Sequence, residues 1–182
     1  MSGADAVHIR PATLQDAEAV AALSAQTFRE TFTKDTTAQD MDAYVANAFG
    51  IDGIQKELAG ADNLFLLAFE RAKTAPVGYA KLRTDRTEPC VEGAAPIELE
   101  RLYVTRAMLG KGVGASLMRA SLHQAQTSGY RTVWLGVWER NFRAIAFYER
   151  WHFKTVGSHP FQVGSDIQTD LIMARPVPAK QR

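Results

Sequence analysis

Apolar residues in this chain recur with two different periods, and stretches of each alternate along it. "VHIR" (Val7–Arg10) reads as a short strand. Thr13 then offers an N-cap with Asp16 in capping-box position, and Leu14, Ala17, Val20, Ala21 and Phe28 follow at helical spacing. A second helical stretch runs from about Thr37 to Ala48 and breaks at Gly50, after which "IQKELAG" resumes the pattern to Gly60. "LFLLAFE" (Leu64–Glu70) is an apolar run with the character of a buried strand, and "VGYAKLR" (Val77–Arg83) pairs with it as a hairpin. Pro89, Gly93 and Pro96 mark residues 84–96 as a loop.

The second half begins with "IELERLYV" (Ile97–Val104), whose strict alternation puts Glu98, Glu100, Leu102 and Val104 on one face of a strand. "LGKGVGASL" leads into a helix with Val113, Leu117, Leu122 and Ala125 inward. "TVWLGVW" (Thr132–Trp138) is another strand and "NFRAIAFYERW" (Asn141–Trp151) another helix. "FKTVG" and "QTDLIMAR" close the chain as two antiparallel strands. The order predicts one mixed α/β domain over residues 1–182, with a strand–helix–strand–helix unit in its second half.

Composition narrows the field by exclusion. A formal net charge of +1 over 182 residues gives no field for nucleic acid. No apolar run is long enough to span a bilayer, and "MSGADAVHIRPA" lacks the basic and apolar regions of a secretory signal, so a cytoplasmic protein is expected. Cys90 is the single cysteine, which excludes an internal disulfide and a CxxC pair. The four histidines show no paired spacing, and no metal is expected.

Chemistry concentrates at Leu109–Ala115. Glycine-rich backbone ahead of a helix favours an anion, because unpaired N–H groups and the helix dipole point the same way. A P-loop would need GxxxxGK with Ser or Thr next, whereas Lys111 lies between two glycines. Gly110, Gly112 and Ala115 do spell the dinucleotide fingerprint, with Glu139 after the next strand. Against it, "TRAML" separates the strand from the first glycine, and too little chain follows Trp138 for further β-α units.

Taken with its neighbours, the loop points elsewhere. "ELERLYV", "LGKGVGASL", "VWLGVW" and "N..AIAFYER..F...G" together resemble the GNAT superfamily of N-acetyltransferases over about Glu98–Gly157. That superfamily's loop pattern, Q/R-x-x-G-x-G/A, falls on Leu109, Gly112 and Gly114, with leucine in place of Gln or Arg. "LSAQTFRETF", "WLGVWERN.RAIAFYER" and "FQVGSDIQTDLIMA" look like bacterial spermidine/spermine N-acetyltransferases of the PaiA type.

The resemblance implies an α/β (α+β) fold: a mixed sheet of about seven strands flanked by about four helices, with acetyl-CoA bound where two central strands splay. It implies that main-chain groups of Leu102, Tyr103 and Val104 hold the pantetheine arm, and that Leu109, Gly110, Lys111, Gly112, Val113, Gly114 and Ala115 wrap the pyrophosphate. Asn141 would bond the arm as well as cap its helix, and Tyr148 would protonate the departing thiolate. Glu98 and Glu100 are the candidates to take the amine's proton; the alternative is an ion pair with Arg101 or Arg83. Phe28, Phe32 and Tyr44 are candidates for an apolar acceptor wall, Glu30, Asp35 and Asp42 for attracting a cationic amine, and His159, Phe161 and Gln162 for lining the cleft. Cys90 has no motif around it.

The expected activity is acetyl transfer to a primary amine in a ternary complex, first a polyamine. Another small amine, an antibiotic, a protein N-terminus, or a non-catalytic acyl-CoA-binding role stand as alternatives. A homodimer is compatible with the sequence. At His152 the resemblance implies a glycine, so a positive φ there would cost about 1 kcal/mol.

Overall fold

A computed structural model describes residues 7–32, 37–163 and 166–178, with only the backbone described at 161–163 and 166. The strands are β1 (Val7–Pro11), β2 (Asn63–Glu70), β3 (Pro76–Arg83), β4 (Pro96–Val104), β5 (Thr132–Trp138), β6 (Lys154–Val163) and β7 (Asp166–Pro176). The helices are α1 (Ala17–Phe32), α2 (Ala38–Phe49), α3 (Ile51–Ala59), α4 (Val113–Thr127) and α5 (Phe142–Arg150). All seven strands join one sheet in the order β1-β2-β3-β4-β5-β7-β6. The sheet is mixed: β1 and β2 are antiparallel, β4 and β5 parallel, and β5, β7 and β6 antiparallel in turn.

The expected elements form where the pattern put them, and local chemistry explains the ends. Asp16 Oδ2 accepts from the Thr13 backbone N–H at 2.8 Å, and the carboxylate takes two bonds from Arg10, at 2.7 and 2.8 Å. That arginine holds the Asp16 carboxyl well below its ordinary range and ties β1 to the entry of α1. Thr37 caps α2 through Asp40 N. Gly50 ends α2 and starts α3, so the second helical stretch is two helices broken at one residue; joined, they leave the expected four. β6 runs past "FKTVG" to Val163, across an irregularity at Thr155/Gly157 and through Pro160. Proline is tolerated because β6 is an edge strand and needs no outward N–H partner.

Internal contacts divide the chain into two compact units: residues 1–82 with 101–121, and residues 83–100 with 122–182. In the first, Val20, Leu23 and Phe28 of α1, Met41 and Phe49 of α2, Ile54 of α3, Phe65 and Leu67 of β2 and Tyr79 of β3 form one buried cluster. Each such side chain contributes about 1.5–3 kcal/mol by leaving water. In the second unit, Trp134, Leu135, Ile172, Met173 and Phe153 are buried around the β5–β7–β6 ladder. Its parallel β4–β5 ladder runs from Pro96↔Thr132 to Glu98↔Trp134 only, although β5 continues to Trp138.

Candidate active site

The stretch after β4 is shaped by where its apolar side chains go. A 3-10 turn at Arg106–Met108, which the pattern of the sequence does not announce, buries Met108. Val113, Leu117 and Met118 then anchor α4 from within. Between these anchors the chain must reverse in very few residues. It does so with Gly110 at φ +78° and Gly112 at φ +83°, values that a side chain would disfavour by about 1–2 kcal/mol each. The turn is also tied down from α1: Glu30 accepts from the Arg106 N–H, and the Arg106 guanidinium donates to the Glu30 carbonyl, each at 2.7 Å.

Main-chain bonding in this turn is incomplete in a specific way. Leu109 N donates to Arg106 O, Lys111 N to Met108 O and Ser116 N to Gly112 O. Among the described residues, the N–H groups of Gly110, Gly112, Val113, Gly114 and Ala115 have no main-chain acceptor. Gly110, Lys111 and Gly112 are exposed. Open donors at the positive end of a fifteen-residue helix make a site for an anion. Lys111 adds a cation there, its ammonium 3.8 Å from Met108 Sδ. Leu102, Tyr103 and Val104, at the end of β4, are half-buried.

α5 carries the second group of candidates. Asn141 caps it, Oδ1 accepting from Ala144 N at 3.2 Å, which leaves the side-chain amide free to donate elsewhere. Two turns further along, Tyr148 is 8% exposed and packs edge-on against Phe153, ring centroids 5.8 Å apart. Burial pushes its phenol pKa well above the ordinary value, so the hydroxyl stays protonated at neutral pH. Just past this helix, His152 has φ +63°, the strained backbone implied by a glycine's usual place.

Glu98 and Glu100 face a common cation. Arg83 Nε donates to Glu98 Oε2 at 2.5 Å, and its Nη1 lies 3.3 Å from Glu100 Oε1. Burial raises the Glu98 carboxyl pKa, and the Arg83 hydrogen bond opposes that rise. Of the two expected ion-pair partners, Arg83 takes the glutamates, while Arg101 makes a two-pronged pair with Glu57 at 2.8 and 2.9 Å.

The acceptor candidates separate into packed and paired groups. Phe28 is part of the buried cluster and stacks on Tyr44, centroids 4.5 Å apart, with Phe32 at 4.6 Å. Asp42 pairs with the Arg29 cation at 2.7 Å, whereas the Glu30 carboxylate accepts from the Arg106 main-chain N–H at 2.7 Å and from the Gln26 side-chain amide at 2.9 Å. Asp35 and the side chains of Phe161 and Gln162 lie outside the described residues. His159 Nδ1 lies 3.2 Å from Glu88 Oε1 in the loop after β3. Cys90 packs on Gly157, where a Cβ would stand 2.6 Å from its Sγ. Among the described residues no cluster of His, Cys, Asp and Glu could hold a metal ion, and no helix is long and apolar enough to cross a membrane. Sequence reasoning passed over Asp170 of β7, a half-buried carboxylate inside "QTDLIMA".

The chain thus combines a mixed seven-stranded sheet with a glycine turn, its amides open, between a central strand and a helix. Residues 23–153 match the profile of the acetyltransferase (GNAT) family, and the chain belongs to that family. It is an N-acetyltransferase, and the acetyl donor of its class is acetyl-CoA. An uncharacterised N-acetyltransferase of Lactobacillus delbrueckii subsp. lactis is 29% identical over 154 residues, 85% of this chain and 88% of that protein. An uncharacterised N-acetyltransferase of Mycobacterium tuberculosis is 37% identical over 100 residues, 54% of this chain and 59% of that protein. Among solved structures, the PaiA N-acetyltransferase of Thermoplasma acidophilum in complex with coenzyme A superposes with a TM-score of 0.75 at 21% identity, covering 93% of this chain and 98% of that one. The ribosomal-protein-S18-alanine N-acetyltransferase of Escherichia coli gives 0.66 at 16% identity, with 96% of each chain covered.

Proposed function

We propose that the chain, acting as one domain over residues 1–182, transfers acetyl from acetyl-CoA to a primary amine, with spermidine and spermine as the first acceptors. The observation that carries the cofactor half is the row of open N–H groups at Gly110, Gly112, Val113, Gly114 and Ala115. The diphosphate of coenzyme A fits that row in charge and in the number of donors it needs. Main-chain groups of Leu102, Tyr103 and Val104 hold the carrier's arm as an added strand would be held, one N–H polarising the thioester carbonyl. Bound acetyl-CoA supplies an activated carbonyl carbon and a thiolate leaving group.

Tyr148 holds a proton for that sulfur. A phenol raised by burial is a weak acid, but a thiolate kept from water is raised by the same cause above its usual value of roughly 8.5. Asn141 orients the arm with the amide hydrogens that its capping role leaves unused. Glu98 and Glu100 receive the amine's proton directly or through water, with Arg83 holding both in place.

Support for a polyamine comes from the likeness of the closing "QTDLIMA" region to PaiA-type enzymes and from the fold shared with the Thermoplasma acidophilum protein. The Escherichia coli neighbour, by its name, acts on an alanine of a ribosomal protein, which makes peptide amines the second class to test. Release of free thiol from acetyl-CoA across polyamines, aminoglycosides, amino acids and peptides decides between them. Turnover of spermidine above the other acceptors is expected. Turnover of another amine with both polyamines inert overturns the acceptor, and no thiol release with any amine overturns the reaction.

A further inference from the structure

β7 is an interior strand, between β5 and β6, and aspartate is among the residues least suited to such a place. Asp170 nevertheless sits there, half-buried, in register with Trp138 of β5 on one side and His159 of β6 on the other. Residues paired across a sheet project to the same face, and alternation carries that face along each strand. Trp138 shares it with Gly136 and Trp134, and Trp134 pairs with Glu98, so Glu98, Glu100, Asp170 and His159 all project to one face.

On that face the charges are accounted for with one exception. Arg83 answers Glu98 and Glu100, and Arg86 with His159 answers Glu88. The Asp170 carboxylate accepts no hydrogen bond and has no ion pair among the described residues; His159 acts on it only through its field. Burial raises its carboxyl pKa, the mark of an anion short of a counter-charge. A Cβ on Gly136 would lie 3.5 Å from Asp170 Oδ2 and 3.9 Å from Ile172 Cδ1, so the carboxylate leans over the one residue of this strand that has no side chain. Gly136 lies just beyond Glu98↔Trp134, the last pair of the β4–β5 ladder.

We propose that Asp170 anchors the positive charge of the acceptor, its carboxylate pairing with the ammonium group of an alkylamine on the sheet face it shares with Glu98 and Glu100. The assignment deepens the amine-acceptor reading above and rests on it for its place in the reaction. It predicts an acceptor that arrives as a cation, and it gives this motif a task that packing does not require.

Calorimetric titration of spermidine and of butylamine into the protein saturated with coenzyme A tests the pairing without turnover. Asp170→Asn is expected to weaken both amines about tenfold or more, and Asp170→Glu to recover part of the loss, while coenzyme A affinity stays the same in all three proteins. Equal amine binding by wild type and Asp170→Asn overturns the proposal, as does a wild type that binds neither amine. Loss of coenzyme A binding in step with amine binding overturns it too, because a structural role would produce that. The thiol-release screen keeps the two readings apart: amines held through Asp170 but never acetylated leave the anchor standing and remove the amine-acetylation reading.

Discussion

From the glycine turn into the first turn of α4, the main chain presents five open amides, while Met108 and Val113 are buried. On the sheet face of β4, β5 and β7, the main chain is occupied by ladders and the side chains carry the charge. The first region tolerates almost any side chain that permits its φ angles. The second depends on each carboxylate having its particular partner, Arg83 for Glu98 and Glu100, and none among the described residues for Asp170. Binding a diphosphate common to the whole class needs only backbone; choosing an acceptor needs side chains. Substitutions in the two regions should therefore fail in different ways.

The largest expected effect is on chemistry rather than on binding. Tyr148→Phe should lower kcat by about 100-fold or more while acetyl-CoA KM changes little, measured by steady-state thiol release. Next comes Arg83→Met, which leaves the buried Glu98 without its cation and should cost about 2–3 kcal/mol in urea unfolding near neutral pH. The Glu98 carboxyl pKa is raised in the folded protein, so the folded state holds that proton more tightly than the unfolded chain. Its contribution falls as pH rises from the ordinary carboxylate range through the folded pKa. Without Arg83 the rise is larger, so the deficit of the variant should shrink as the pH is lowered toward that range.

Smaller effects sharpen the contrast. Gly112→Ala should cost about 1–2 kcal/mol, divided between unfolding stability and acetyl-CoA affinity, because its φ is +83°. His152→Gly should raise stability by about 1 kcal/mol and increase Tm by relieving φ +63°. Leu109→Ala should stay within about 0.5 kcal/mol of wild type in acetyl-CoA affinity, since the turn works through its backbone.

The same contrast explains what the sequence disclosed. Periodicity gave the strands and helices, and the glycines at 110, 112 and 114 announced a backbone site; Gly110 and Gly112 take positive φ angles that only glycine adopts at low cost. The 3-10 turn at Arg106–Met108 was not legible, since three residues carry no period. Nor was the bond from the Arg106 main-chain N–H to the Glu30 carboxylate, which joins positions far apart in the chain. Asp170 looked like one polar residue in an alternating strand; its isolation emerges only when the register of β5, β6 and β7 is known. Side-chain sites depend on counter-charges delivered by distant strands, and spacing along the chain does not report them.

The most direct test concerns the amides themselves. Amide hydrogen exchange at Gly112, Val113, Gly114 and Ala115, followed residue by residue, should slow markedly when coenzyme A is added, with little change at surface amides elsewhere. Exchange at these four positions unaltered at saturating coenzyme A would contradict the account.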